Sequence, residues 1–462
     1  MPEISTTNFG YIEMKSRLDA EYYRPIFLEA EKVIADASPK LLRELLLDIK
    51  SSAFYGSISP YYNEEKKGFP FVRVSDIEEP FLNTTNILFL PISVTRREKS
   101  LHTVTNEYLL VSKGGTTGNI CFIPHQFGEV CISRDVIGIK IDEKKINRYF
   151  LLIFLLTKYG KAQLLRGISR QTLPHLTLNV LRNILVPTTD KEIQKNIERI
   201  VNKANEKRTL AGQKYKDAEK LVFETLGISE DIEKLEEKIS YEANFERIKR
   251  TFNLNAEYYH PKYLEIINIL TKPRFEVKPL KKVVEISDVT LDPIEASNRT
   301  RRFKYVPIAK ISETGEINGW TEFYGWQAPS RARMVIRKGD ILIPSLAGTF
   351  NKIALVPENL DGNLTTTGCF VVKPREDIPE FLFLLLRTPL FRKQLEQQTT
   401  GAIMSAVPKS AFGDLLIPVI PREEQQAVAE LVKEFFELRK EVRDLIQRAV
   451  KDVEEVIENA TD

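Results

Sequence analysis

The sequence has only three cysteines, Cys121, Cys131 and Cys369. An odd number with no Cys-x-x-Cys spacing excludes a disulfide framework and a cysteine-based zinc site. It predicts free, buried thiols in a reducing cytoplasm. Histidine is almost as scarce: His102, His125, His175 and His260 are scattered, too few for a metal cluster, and each reads as a surface or packing residue. There is no run of eighteen apolar residues, so no membrane-spanning helix is expected. The opening Met1-Pro2-Glu3-Ile4 does not read as a signal peptide. Charge of one sign is also lacking. The formal net charge is +3, so any basic surface must be local.

Catalytic signatures are missing as well. There is no Gly-x-x-x-x-Gly-Lys-Ser/Thr phosphate loop, no Gly-x-Ser-x-Gly elbow and no His-Glu-x-x-His. The Asn/Asp-Pro-Pro-Tyr/Phe signature of amino-methyltransferases does not occur. Gly114-Gly115-Thr116-Thr117-Gly118 has no lysine in place and reads as a strand-to-strand turn needing positive φ. The acidic pairs Glu64-Glu65 and Asp142-Glu143 fall in polar, solvated stretches. No constellation for an enzyme emerges.

What is present is a long repeat. Asp19-Ala20-Glu21-Tyr22-Tyr23-Arg24-Pro25 returns as Asn255-Ala256-Glu257-Tyr258-Tyr259-His260-Pro261, offset by 236 residues. The stretch from Ser112 to Pro124 returns from Ser345 to Pro357, offset by 233. Pro187, Glu192 and Gln194 answer to Pro418, Glu423 and Gln425, offset by 231. The period is far longer than a solenoid unit. At 462 residues the chain holds two complete modules, each large enough for its own core.

Each module follows one plan. A helix is expected over 20–37, with Pro25 near its start or marking a break. Ile87 to Leu90, Tyr108 to Val111 and Val136 to Ile139 read as strands. A helix is expected over 147–165. After Pro187-Thr188-Thr189-Asp190 comes a long helix to Leu226, ended by Gly227. Ile197, Ala204, Ala211, Ala218 and Thr225 step by seven, with Val201, Tyr215 and Val222 beside them. In the second module Val428, Phe435, Val442, Ala449 and Val456 step by seven, with Leu431, Leu438 and Leu445 as companions. Heptads with small residues imply close helix–helix packing, and the natural partner is the other copy, antiparallel. A helix of about 35 residues spans on the order of 50 Å. The expected fold is α+β: two pseudo-repeated mixed domains joined by two long helices in an antiparallel coiled coil. The expected boundaries are 1–39 for an N-terminal helical segment, 40–188 for the first domain and 189–250 for the first spacer helix. The repeat of the N-terminal segment follows at 251–274, the second domain at 275–420 and the second spacer at 421–462.

Polar and basic residues gather at predicted loops and strand ends. Arg and Lys suit guanine edges and phosphates, and Asn and Gln suit adenine edges. The DNA-binding candidates of the first module are Tyr61, Asn63, Lys66, Arg73, Arg96, Arg97, Lys113, Thr117, Asn119, Ser169, Arg170 and Gln171. Those of the second are Arg299, Arg301, Arg302, Lys304, Arg331, Arg333, Asn351, Lys352, Gln398 and Lys409. The two copies keep their scaffold but change these loops.

These features resemble the specificity (S) subunit of type I restriction–modification enzymes, over nearly the whole chain. The resemblance rests on the duplicated Glu-Tyr-Tyr entries and on the turns 110–119 and 342–351. It rests most on the exits Leu185-Val186-Pro187…Glu192-Ile193-Gln194 and Leu416-Ile417-Pro418-Val419-Ile420-Pro421-Arg422-Glu423-Glu424-Gln425. The first exit departs from the second, with Pro187-Thr188-Thr189-Asp190 in place of Pro418-Val419-Ile420-Pro421. The resemblance implies two target recognition domains, each holding half of a split, asymmetric site in double-stranded DNA, with the helices fixing the gap. It implies two methylation (M) subunits that bind S-adenosylmethionine and methylate adenine N6. Restriction (R) subunits using ATP and Mg would be further partners. The chain itself would be non-catalytic and would hold no cofactor or metal. Two other readings stay open: an adaptor with two protein-binding modules, and a nuclease or methyltransferase with unrecognised motifs. The role of the Glu-Tyr-Tyr segments, helix cap or partner contact, is open too.

Overall fold

The computed structural model describes residues 6–7, 9–15, 18–54, 58–63, 67–84, 87–168, 175–228, 240–251, 253–271, 275–401 and 405–460. The chain divides into two compact units. The first comprises 1–208 and 440–462, and the second 209–439. Both cuts fall inside the long helices, Lys191–Leu226 and Arg422–Asn459.

In the first unit, Lys40–Leu41 pairs antiparallel with Leu185–Val186 and closes the domain where the chain enters and leaves it. The larger sheet runs Leu46–Ser51, Val136–Ile141, Tyr108–Ser112, Ile120–Phe122, Phe81–Leu82, Ile77–Glu78 in spatial order. A second sheet runs Leu88–Leu90, Phe69–Val72, Glu129–Ile132, His102–Thr105. Its central pair is parallel, with Phe71 opposite Cys131. The strands read as buried apolar runs because both faces are covered. Leu109, Val111, Ile137 and Ile139 face one core; Tyr108, Leu110 and Val136 face the other. This is the alternation that period-two geometry dictates.

The second unit repeats the layout. Glu276–Pro279 pairs with Leu416–Val419. One sheet runs Val284–Ser287, Cys369–Pro374, Ile341–Pro344, Ala354–Leu355; the other runs Thr321–Tyr324, Arg302–Val306, Asn363–Thr366, Ala332–Ile336. The second sheet again has a parallel central pair, with Tyr305 opposite Leu364. Tyr305 therefore answers to Phe71 at nearly the offset seen in the sequence.

The helix expected over 147–165 is two helices, Arg148–Leu156 and Lys158–Arg166. Thr157 between them is extended (ψ 161°), and its hydroxyl accepts from the Gly160 amide as an N-cap. A side chain at 160 would lie 2.3 Å from the Phe154 carbonyl oxygen, so only glycine allows this tight break. The second unit breaks at Thr388, followed by Pro389 at the first helical position. The helix expected over 20–37 is also two pieces. A 3-10 turn, Ala20–Tyr23, precedes the helix Pro25–Asp36, whose proline sits where no amide donor is needed.

The long helices form as the heptads predict, and Gly227 (φ 68°) ends the first. In the first unit Ile197, Val201 and Ala204 share a core with Val442, Ala449, Val453 and Ile457. Lys207 there pairs with Glu441. In the second unit Ala218 and Val222 share a core with Val428, Ala429 and Val432. Tyr215 packs on Phe435 with ring centroids 5.1 Å apart, and Lys214 pairs with Glu434 at 2.5 Å. Early residues of one helix meet late residues of the other, the pattern of an antiparallel pair. The buried companion in the second helix is Val432, and Leu431 is half-buried.

A glutamine bracket joins each long helix to its domain. Gln194 accepts from the Asn147 amide (2.7 Å) and donates to the Thr189 carbonyl (3.0 Å). Gln425 accepts from the Ile378 amide (2.9 Å) and donates to the Ile420 carbonyl (2.8 Å). Gln163 and Gln394 do the same for the closing strands: each exchanges two hydrogen bonds with the backbone of Leu185 or Leu416. Buried backbone groups are thus satisfied by the same residue type at the same place in both copies.

Candidate nucleic-acid interface

In the second unit the exposed face is built by strand alternation. Along Arg302–Val306, Phe303 and Tyr305 point into a small core with Phe323 and Leu364. Arg302 and Lys304 point the other way. Arg302 lies opposite Tyr324 on the neighbouring edge strand, and Lys304 opposite Glu322. The Arg302 guanidinium sits 5.6 Å from the Tyr324 ring centroid and 3.2 Å from a Glu322 oxygen. The Lys304 ammonium sits 4.6 Å from the Trp320 ring. Trp326, 56% exposed, follows at the strand end, where its amide donates to the Arg299 carbonyl (3.2 Å). Gly325 makes that corner: a Cβ there would meet the Pro293 and Asn298 carbonyl oxygens at 2.1 and 2.4 Å. Arg301 stacks over Phe303 (4.8 Å) and reaches the Gly362 carbonyl (3.3 Å). Cations beside exposed aromatic rings are the elements that grip phosphates and base faces.

The remaining candidates of this unit lie apart from that face or are tied down. Arg331 contributes its carbonyl to the Arg333 and Thr367 amides. Arg333 pairs with Asp292 at 3.5 Å and is mostly covered. Lys409 pairs with exposed Asp288. Asn351 gives its carbonyl to Arg387 (2.8 Å), while its side-chain Oδ1 is buried without a hydrogen bond among the described residues. The Lys352 amide donates to the Thr349 carbonyl, closing the turn, and Gln398 ends the helix Pro389–Gln397. An open cavity of about 500 Å³ lies beside the Asp292 loop. Arg301 and Arg337 line it together with Asp292 and Glu295, so its charges balance.

The first unit presents a different face. Tyr61, 40% exposed, carries the Arg97 guanidinium 5.3 Å from its ring. Arg96 and Arg97 end the helix Ile92–Arg97, and Arg97 also pairs with Glu98 at 2.9 Å. The Asn63 side chain is spent on the fold: it donates to the Phe89 and Lys67 carbonyls and accepts from the Lys67 amide. Arg73 is held by Asp76 through two side-chain hydrogen bonds of 3.0 and 2.8 Å. Lys113, Thr117 and Asn119 belong to the turn after Tyr108–Ser112, where Gly115 (φ 66°) and Gly118 (φ 86°) supply the positive φ expected there. The Asn119 amide donates to the Ser112 hydroxyl (2.8 Å). Lys66, Ser169, Arg170 and Gln171 lie outside the described residues.

Three comparisons with known proteins bear on what these faces belong to. The family model for the type I restriction modification DNA specificity domain matches residues 56–220 and again 274–448. The chain belongs to this family. It is a DNA sequence-specificity subunit. It is similar to the type I restriction enzyme MjaVIII specificity subunit of Methanocaldococcus jannaschii, 23% identical over 386 residues, 78% of this chain and 80% of that one. It is also similar to the MjaX specificity subunit of that organism, 20% identical over 415 residues, 85% of this chain and 86% of the relative. Among solved structures, the HsdS subunit from Thermoanaerobacter tengcongensis is 36% identical over 38% of this chain and 45% of its own, with a TM-score of 0.32.

Tyr324, Trp320 and Trp326 were not among the candidates read from the sequence, which in the second unit were cations and amides; the structure puts Tyr324 and Trp320 beside Arg302 and Lys304. The signal was there: two tryptophans in the whole chain fall within seven residues of each other. Among the described residues no group of three or more His, Cys, Asp or Glu side chains is placed to hold a metal ion. None of their helices is long and apolar enough to cross a membrane.

Proposed function

We propose that this specificity subunit reads a bipartite, asymmetric DNA site, one half per unit, and performs no catalytic step itself. The observation that carries this is a repeated scaffold with diverged faces. The parallel pairs put Tyr305 at the place of Phe71, which sets Arg302 and Lys304 at the places of Gly68 and Pro70. The frame is kept and the reading surface is replaced, as two different half-sites require. On this reading, M subunits bring S-adenosylmethionine and methylate adenine N6. R subunits with ATP and Mg act on the same assembly. The work is done where the DNA is, in the cytoplasm. Each mismatch in a half-site costs about 1–3 kcal/mol, and linking two half-sites makes the second contact intramolecular. The paired helices, continuous through 36 and 38 residues, set the gap.

The test is to express the chain with the methylation subunit encoded beside it in a methylation-free host. Modified adenines are then mapped by long-read sequencing. A split motif with a fixed gap is expected. A continuous motif, or a stable complex that modifies nothing, would overturn the reading.

A further inference from the structure

The long helices carry an arginine at the same place in both copies. Arg208 answers to Arg439 at the offset of 231 that relates Gln194 to Gln425. Its neighbours have changed: Asn205 to Phe436, Lys207 to Leu438, Thr209 to Lys440, Leu210 to Glu441. Each arginine is also the last residue of its helix to belong to the compact unit of its own recognition domain.

Both reach the same turn of the fold. In the first unit it lies between the paired strands Phe69–Val72 and Leu88–Leu90, and in the second between the paired strands Arg302–Val306 and Thr321–Tyr324. Each pair belongs to the sheet whose central pair is parallel. A 3-10 turn comes first in each copy, Val74–Asp76 and Ile308–Lys310, offset by 234. Ile77 then pairs with Leu82, and Ile311 with Ile317. Phe81 therefore stands where Glu316 stands. The Arg208 guanidinium lies over the Phe81 ring (5.0 Å) and donates to the Leu82 carbonyl (2.7 Å). The Arg439 guanidinium donates to the Glu316 carboxylate (2.5 Å). Phe81, Leu82 and Glu316 are all buried. The turn has exchanged a ring for a carboxylate, and an arginine on the spacer helix suits both.

The turn is held firmly in itself. Lys161 grips the Glu79 carboxylate and Arg387 the Glu313 carbonyl, at positions again 234 apart. In the second unit Thr314 donates to the Glu316 carboxylate (3.3 Å). Gly315 (φ 82°) leaves no room there, since a Cβ would lie 2.6 Å from the Ile353 carbonyl oxygen. A stiff turn passes the position of the helix on to the strands it joins, and in the second unit those strands carry Arg302, Lys304 and Tyr324. Burying a charge pair adds little stability, and its best-attested effect is to fix one arrangement among several.

We infer that Arg208 and Arg439 are positioning residues for DNA recognition: each fixes the angle of its unit's outer sheet on the spacer helix, and so the place along the duplex where that unit makes its contacts. This rests on the function proposed above and adds that the gap depends on these two contacts as well as on helix length. A shift of about 3.4 Å along the duplex moves a contact by one base pair.

The experiment maps modified adenines by long-read sequencing after expression of the full chain with its methylation subunit in a methylation-free host. Arg208→Met keeps the apolar stem beside Phe81. Arg439→Met with Glu316→Gln removes both charges, so no carboxylate is left buried and unpaired. Each should melt within a few degrees of the unaltered chain, and the bases read in each half should stay the same. Modification at sites whose gap is one base pair longer or shorter should rise about tenfold or more over the unaltered chain, the scale of losing one hydrogen bond to a charged group. A single gap at the unaltered rate would overturn the inference. Weaker modification of every site with the single gap kept would also overturn it, because the arginines would then only stabilise the fold. Both results leave the proposed function standing. A continuous motif from the unaltered chain would overturn both.

Discussion

Replacing Arg302 and Lys304 together with alanine separates folding from DNA contact. The Arg302 side chain is 67% exposed and its Glu322 partner 44%. A surface ion pair of this kind contributes about 0–1 kcal/mol. Lys304 adds one hydrogen bond to the Asn359 carbonyl, at 3.3 Å. The buried side of the strand, Phe303 and Tyr305, is untouched, so the melting temperature should move by only a few degrees. DNA binding should change far more. Each lost phosphate contact lowers the slope of log affinity against log salt by about 0.9, so two lower it by about 1.8. Between roughly 50 and 200 mM salt, the unaltered complex should then lose about 12-fold more affinity than the variant. If either cation reads guanine, the variant should also tolerate a changed base in one half-site only, a loss of about 1–3 kcal/mol. Fluorescence anisotropy of the assembled methyltransferase on its target duplex, across a salt series, measures both. Parallel salt plots at equal affinity would refute the assignment of this face.

Other consequences follow from the cores. Burial pushes the Cys121 thiol up strongly and holds Cys131 and Cys369 at about 12; a thiol reagent should therefore find no reactive cysteine in the native chain and three after denaturation. Burial raises the Glu31 carboxyl, but hydrogen bonds from Lys15, Tyr11 and Arg166 outweigh it and hold the group at about 2, against 4.5 as the ordinary value. The folded state binds that proton less readily than the unfolded one, so the stabilisation is complete above 4.5 and is lost as pH falls towards 2. At neutral pH it amounts to about 3 kcal/mol at most. Urea unfolding of Glu31→Gln should show the full deficit at neutral pH and a shrinking one as the pH is lowered; a pH-independent deficit would count against the cluster. Ala218→Leu, at a fully buried seam position, should destabilise by about 1–3 kcal/mol through overpacking. Lys216→Leu, on the exposed side, should stay within about 0.5 kcal/mol. Equal stability of the two would mean that small residues are not what lets the helices approach.

The long elements were legible because their signal is periodic and redundant. Ile197, Ala204, Ala211 and Ala218 are all buried, and Gly227 ends the helix where the sequence places the stop. The repeat was legible for a different reason: landmarks in two copies check each other. Breaks inside helices were not. Thr157 follows the apolar run Tyr149 to Leu156 and is itself followed by Lys158, and its hydroxyl caps the next helix only once the chain has turned. The local pattern of a continuous helix and of two helices meeting at a buried threonine is the same. The outer face was half legible. Arg302 and Lys304 stood out as cations, but strand register alone sets them opposite Tyr324 and Glu322. Asn63 and Arg73 looked like readers by residue type. In the structure Asn63 bridges a loop and Arg73 is clamped by Asp76. Residue type states what a side chain is able to bind, and only the fold states what already binds it.

The central claim is that each unit reads its own half of the site. It is tested most directly by replacing residues 40–187 with the matching segment of another specificity subunit and mapping methylated adenines by long-read sequencing. The account predicts that one half of the motif changes while the other half and the gap stay as they were. A motif unchanged in both halves, or changed in both, would contradict it.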